Sequence, residues 1–333
     1  HFGITTGGVV DNNLFQTANK LLGNEKNETI IEFAYQGPRL RLDKGNVQIV
    51  ITGDVHFIIS KKSENFSENI GETFRTYQLN EGDIIDILAT KTSVYGYFGV
   101  IGGFKINKYN RCGSTLVGSG IGPNNGKRIQ ENQLIEFNME SKKNKLKQLS
   151  YLSNNKDNII RAIEGPQINF FSKETINNFF NKTFKISKSA DRMGVRLEGN
   201  KIVSKNTSNI PSEGIIKGSV QIPGDGNPIV LMVDHPTIGG YPKIATVILN
   251  DIAKLSHQSF GKEICFEKVS IETAENLYNA NKKYLDKMFQ SIKLLWIWRY
   301  ILQNRNLNLE KKKIIQSMKE KNIDALLIFR QES

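Results

Sequence analysis

The sequence predicts a mainly β protein with interspersed α-helices, arranged as two strand-rich halves and a helical tail. Three observations predict it. Short apolar or alternating segments recur between turn signals over residues 30–137. A second set recurs over residues 159–269, after a polar, Lys- and Asn-rich stretch at 138–158. From residue 272 the apolar spacing changes to three and four, the helical period. Strands spaced this closely indicate a barrel or sandwich, and 333 residues suffice for two domains.

Residues 12–23 read as a helix, with Leu14, Phe15, Ala18, Leu21 and Leu22 on one face and Gly23 ending it. Strands are expected at 30–34, 40–42, 47–52, 56–60, 73–79, 83–88 and 93–101, with Glu81-Gly82-Asp83 as a hairpin corner. In the second half, strands are expected at 159–163, 183–187, 195–197, 218–222, 228–233 and 263–269. A short helix at 173–181 turns Phe179 and Phe180 toward the core, and a further helix is expected at 244–255. Beyond it, Tyr284, Met288, Ile292, Leu295 and Trp296 form a buried stripe over 272–303, and 309–322 reads as an exposed Lys/Glu helix. The expected domains are therefore 1–150, 151–272 and 273–333.

Composition bounds the function. The chain is 38% hydrophobic and 23% charged, ordinary for a soluble protein. Its most apolar stretch, 294–301, contains Arg299 and is far shorter than the roughly 20 residues of a membrane span. No targeting signal is visible, and Cys112 and Cys265 form no disulfide framework, so a reducing cytoplasm is expected. Four scattered histidines give no metal site. The net charge of +12 lies in Lys-rich runs without interleaved aromatics (142–145, 311–313), so nucleic acid is not the expected partner.

Three clusters carry the candidate chemistry. The first is the turn after strand 228–233, Asp234-His235-Pro236-Thr237-Ile238-Gly239-Gly240-Tyr241-Pro242-Lys243. Adjacent glycines let bare N–H groups approach a ligand, while Thr237, Tyr241 and Lys243 supply hydroxyls and a cation. An anion- or carbonyl-holding loop and a plain tight turn before a helix both fit. The second is 187–199, where Arg192 and Arg196 offer two guanidinium forks suited to carboxylate or phosphate, or simply decorate an exposed strand. The third, 3–11, sets hydroxyls and backbone donors before the first helix, with Asp11 also explained as its N-cap. The glycine-rich loop 118–128 ends in Lys127 and Arg128 but fails the Walker A spacing. It also has Pro123 where a dinucleotide fingerprint needs its third glycine. It is either a basic loop that meets an anion or a connector. Gly-x-Ser-x-Gly is absent.

Together these clusters resemble the carboxyltransferase-domain family (subdomains A and B) that includes the C-type subunit of 5-oxoprolinase, KipA-type proteins, allophanate hydrolase subunit 2 and part of urea carboxylase. Thr237-x-Gly239-Gly240-Tyr241-Pro242-Lys243 and Arg192-Met193-Gly194-x-Arg196-Leu197-x-Gly199 carry the resemblance, with 161–165 and 218–234. It extends more weakly from Gly3 to about Thr273. It implies two cyclophilin-like β-barrel subdomains in tandem, here with a C-terminal helical extension. It also implies a B-type (KipI-like) subunit that shares the catalytic cleft, and an A-type (LamB/YcsF-like) subunit. The expected activity is ATP-dependent opening of 5-oxoproline to glutamate, with ATP at a site shared with, or on, another subunit. Under that resemblance Lys243 and Arg192 are charge partners and Gly239 and Gly240 are N–H donors. Thr237 and Tyr241 orient the substrate and Asp234, then Glu164, position a donor. Arg196, Arg128 and Asp11 are further substrate or anion contacts. Two alternatives stand beside it. One is biotin-dependent carboxyl transfer to urea or a related amide, and the other a non-catalytic KipA-type regulator of a B-type partner. The chain departs from the family at Leu116 and at Asn132-Gln133. The family's opening strand is absent before His1, so part of the first barrel is expected to be missing.

Overall fold

The structure is a computed structural model that describes residues 3–110, 112–138, 145–150, 157–205 and 209–294. Residues 1–293 make one unit, and the second, 294–333, lies almost wholly outside the described residues. The expected helix at 309–322 and the stripe residues Leu295 and Trp296 fall there.

Helix α1 (Asn12–Leu22) begins at Asp11, whose carboxylate accepts from the Asn13 and Leu14 N–H groups at 2.9 and 3.1 Å, and ends at Gly23 with φ 78°. The strands that follow are β1 (Ile31–Ala34), β2 (Arg39–Arg41), β3 (Asn46–Thr52), β4 (Val55–Ser60), β5 (Glu68–Ile70), β6 (Thr76–Asn80), β7 (Ile84–Thr90) and β8 (Tyr95–Val100). They form two antiparallel four-stranded sheets, ordered β1-β8-β3-β6 and β2-β7-β4-β5. Inward residues of both sheets, among them Ile49, Ile51, Phe57, Ile85 and Ile87, share one core with Leu14, Ala18, Leu21 and Leu22 of α1. Strands β3 and β8 are apolar on both faces because α1 covers one side and the second sheet the other.

The polar stretch expected to divide the chain contributes a strand, β9 (Lys147–Gln148), beside β6. The second half holds β10 (Ile159–Glu164), α2 (Lys173–Asn181), β11 (Thr183–Ile186), β12 (Gly194–Gly199), β13 (Glu213–Gly214), β14 (Ser219–Gln221), β15 (Ile229–Leu231), β16 (Ile238–Gly239), β17 (Lys243–Val247), α3 (Leu249–Ser256) and β18 (Glu263–Lys268). Seven of these strands close a barrel in the order β10-β17-β14-β15-β12-β11-β18. Only the β10–β18 pair that closes it is parallel. Closure leaves no open sheet edge. Phe179 of α2 stacks on Phe266 at 4.5 Å inside this core, as its sequence pattern predicts, and Phe180 packs against the same cluster.

Three expectations are corrected. Residues 244–247 are strand, not the start of a helix, because Lys243–Val247 is paired on both sides, with β10 and β14. The helix starts only at Leu249. Glu81-Gly82-Asp83 is a corner between sheets rather than within a hairpin, since β6 pairs with β3 while β7 pairs with β2 and β4. In α4 (Ile271–Gln290) Met288 is buried and Ile292 packs just beyond it, but Tyr284 is exposed.

The two cores interlock. Val10, Val94 and Tyr95 come from the first half yet belong to the barrel core, and Met288 of α4 joins the first core. The segment preceding α1 therefore runs along the seam between the halves.

Candidate active site

Two polar clusters flank the loop 234–242. At its first end, Asp191 Oδ1 accepts from the Met193 and Gly194 N–H groups at 2.7 and 3.1 Å, forming the turn that presents Arg192. The backbone carbonyl of Arg192 accepts from the Asp234 N–H at 2.8 Å, bringing the two loops side by side. The guanidinium donates bidentately to Asp234 at 2.7 and 3.0 Å, to the Gly8 carbonyl at 2.7 Å, and to Glu32 in a close ion pair. Glu32 also accepts from the Val10 N–H at 2.8 Å, while the Tyr97 hydroxyl accepts from the Asp11 N–H at 2.7 Å. The other Asp11 oxygen lies 3.0 Å from Nε2 of His257, which follows α3. Residues from both halves and from the segment 3–11 thus meet around one arginine.

Burial raises the Glu32 carboxyl above its ordinary pKa, against the opposing charge of Arg192. Burial alone would weaken the Arg192 guanidinium, but hydrogen bonding to Asp234 and the charge of Glu32 hold its pKa above the usual arginine value. The Tyr95 and Tyr97 hydroxyls are both pushed up, mainly by burial. This cluster lines a cleft of about 2970 Å³, whose lining also includes Lys127 and Arg128 of the loop 118–128 and Ser114, which accepts from the Gly8 N–H at 3.0 Å.

The second cluster lies at the far end of the loop. Lys243 opens β17 with its side chain only 4% exposed, ion-paired to Glu213 of β13. Gln167 bridges the pair: its Nε2 donates to Glu213 at 2.7 Å and its Oε1 accepts from the Lys243 N–H at 3.2 Å. Hydrogen bonds from Lys243 and then Gln167 hold the Glu213 carboxyl below its ordinary pKa. Gln221 of β14 is the register partner of Lys243, at a β-bulge between Val220 and Gln221. Its Nε2 is buried without a hydrogen-bond partner. Strands β13 and β16 pair as a two-residue ribbon over this cluster, Glu213 opposite Gly239. A Cβ at Gly239 would sit 2.5 Å from Gln221 Nε2, so glycine lets the backbone lie directly against that side chain.

The sequence-predicted residues divide between these places. Arg192, Asp234 and Asp11 meet at the seam, and Arg128 lines the same cleft as Arg192 and Asp234. Lys243 and Gly239 belong to the second cluster. Beside it, Thr237 and Gly240 accept from the Ile215 and Ile210 N–H groups through their carbonyls, and the Tyr241 side chain is exposed. Arg196 pairs with Asp225 at 3.3 Å and Glu164 with Lys268 at 2.5 Å, apart from both clusters. Glu32, Gln167, Glu213, Gln221 and His257 are not evident as site residues from sequence. None carries a local mark of its own: Gln221 lies between Val220 and Ile222 in the alternation of an ordinary strand. Among the described residues no group of His, Cys, Asp or Glu has metal-holding geometry, and no helix is long and apolar enough to cross a membrane.

The carboxyltransferase-domain profile, subdomain A and B, matches residues 2–268. This chain belongs to that family. Among curated members, the C-type subunit of 5-oxoprolinase from Haemophilus influenzae is 30% identical over 288 residues, covering 86% of this chain and 90% of that protein. Its Escherichia coli counterpart is 26% identical with the same coverage. Urea amidolyase of Lachancea kluyveri is 23% identical, but this chain spans 16% of it. In three dimensions, this carboxyltransferase-domain chain superposes on Kluyveromyces lactis urea carboxylase with a TM-score of 0.76 at 24% identity. That match covers 86% of this chain and 27% of the other. The mainly β fold read from the sequence is thereby shown.

Proposed function

We propose that this chain is the C-type subunit of an ATP-dependent 5-oxoprolinase, acting with A-type and B-type subunits to open 5-oxoproline to glutamate. One observation carries the reading: the match to the 5-oxoprolinase subunits is nearly end to end on both sides, whereas only a small part of the urea amidolyases is matched.

The geometry fits a substrate that joins a carboxylate to a planar amide. As the amide reacts, negative charge gathers on its oxygen, and a buried cation with fixed donors stabilises that charge better than water does. In this reading Lys243 and Gln167 Nε2 hold the carboxylate where Glu213 now sits, and Gln221 Nε2 donates to the amide oxygen, on which Lys243 acts through its charge. Arg192 takes a different part. Its fork is already occupied by two carboxylates and a carbonyl, so it positions the 234–242 loop rather than contacting substrate.

ATP does not fit the one phosphate-loop candidate on this chain. In the loop 118–128 the Gly120 N–H is spent on the Val117 carbonyl, that of Gly126 on Gly122 and Pro123, and that of Lys127 on Asn124. We therefore assign the nucleotide to another subunit.

The alternative with a specific observation behind it is carboxyl transfer, because the fold is shared with urea carboxylase. This chain has no Met-Lys-Met biotin acceptor, so that chemistry requires a carrier from elsewhere. The two readings separate in a mixture of this chain with A-type and B-type subunits. Glutamate formation from 5-oxoproline and ATP is expected to be indifferent to avidin. ATP cleavage that needs urea and bicarbonate and is stopped by avidin would favour carboxyl transfer.

A further inference from the structure

We infer that Lys243, Gln167 and Gln221 form a binding site for a small carboxylate carrying an amide, and that the Glu213 side chain occupies the carboxylate position until such a ligand displaces it. The inference deepens the proposed function and rests on it only for the identity of the natural ligand.

Three observations converge. The first is an asymmetry of burial. The Lys243 side chain is 4% exposed, while the Glu213 side chain that neutralises it is 44% exposed and belongs to the exposed run 211–214. A buried ammonium needs an anion at all times, but this anion reaches in from solvent and can turn back to it by side-chain rotation alone. The second is the pattern of donors. Glu213 Oε1 accepts from both Lys243 Nζ and Gln167 Nε2, which is how a ligand carboxylate is gripped. The third is an unmet need. Gln221 Nε2 is buried with no partner beside that grip, and Gly239 closes over it without adding one. An unpaired buried amide is destabilising, because it has given up its hydrogen bonds to water and gained none in return. The carbonyl oxygen of an amide ligand seated on Lys243 is the acceptor that satisfies it.

A purely structural ion pair looks different in this same protein. Lys254 is also buried and also pairs with an exposed acid, Asp157, but its ammonium donates to the Ile159 carbonyl as well. The described residues include one other buried unpartnered side-chain atom, Nε of Arg75, and it belongs to neither pair. Among the described residues, the Lys243 site alone combines a removable anion with a waiting donor.

The test is calorimetric titration of the full chain and its Glu213→Ala, Lys243→Met and Gln221→Leu variants with three probes. These are 5-oxoproline, oxamate (a carboxylate joined to an amide) and 2-pyrrolidinone, a lactam without a carboxylate. If Glu213 holds the site closed in most molecules, its removal tightens binding of the carboxylates by roughly tenfold. It leaves 2-pyrrolidinone unchanged. Lys243→Met abolishes carboxylate binding, and Gln221→Leu weakens 5-oxoproline and oxamate alike. A second readout needs no ligand: acetylation of Lys243 by an activated ester, followed by mass spectrometry, is expected to be faster in Glu213→Ala than in the wild type. Carboxylate affinities and Lys243 labelling unchanged by Glu213→Ala would overturn the inference, whatever the activity of the complex. Oxamate tightening while 5-oxoproline binds no variant would support the site and count against the oxoprolinase reading.

Discussion

Replacing Arg192 by Met is expected to lower the unfolding free energy by about 3 kcal/mol, because it leaves two largely buried carboxylates without their cation. Glu32 and Asp234 are each 14% exposed, and the same substitution orphans the Gly8 carbonyl that ties the segment 3–11 to the barrel. The loss depends on pH in a predictable direction. Burial raises the Glu32 carboxyl in the native state and Arg192 opposes that rise, so the variant raises it further. A native carboxyl with a raised pKa holds a proton that the unfolded chain has released, and stability then falls as pH climbs from the ordinary value toward the native one. The penalty in Arg192→Met is therefore smallest near about pH 4.5 and grows toward neutrality, until the pH passes the native Glu32 value. Urea unfolding at several pH values reads this directly. An Arg192→Met protein as stable as the wild type at neutral pH would show that the cluster does not hold the seam together.

Lys243→Met is expected to show the converse, a large loss of activity with little loss of stability. Glutamate formation by the assembled subunits should fall on the order of 100-fold or more, the usual scale for removing a fixed group that stabilises developing charge. Methionine fills nearly the same space, and the released Glu213 turns into solvent instead of remaining buried, so the melting temperature should hardly move. Measuring both on one preparation separates this lysine from the structural arginine. Equal losses of activity and stability would mean that Lys243, like Arg192, only supports the fold.

The contrast between these residues shows what the sequence discloses. Local signals are legible: the Asp11 cap and Gly23 stop of α1, all of α2, and most barrel strands follow from spacing and turn chemistry. Residues 244–247 mislead because Ile-Ala-Thr-Val continues into a helical pattern. What makes them strand is pairing with β10 and β14, partners about 80 and 25 residues earlier in the chain. The edge strand β5 escapes notice because its three residues, with Ile70 alone apolar, are too few to show an alternation. Within the site, Arg192, Asp234 and Lys243 stand out by residue type, but the sequence presents Arg192 as a free cation. Glu32, which helps to occupy it, lies 160 positions away and carries no local mark of that role. Gln167 and Glu213 look like ordinary surface residues until the barrel closes and sets both beside Lys243.

One assay bears most directly on the assigned role: release of glutamate from 5-oxoproline and ATP by this chain mixed with its A-type and B-type subunits, each omitted in turn. The prediction is activity in the full mixture that disappears when this chain is left out and returns when it is added back. A fully assembled mixture that forms no glutamate, or one that forms it equally well without this chain, would contradict the assignment as an oxoprolinase subunit.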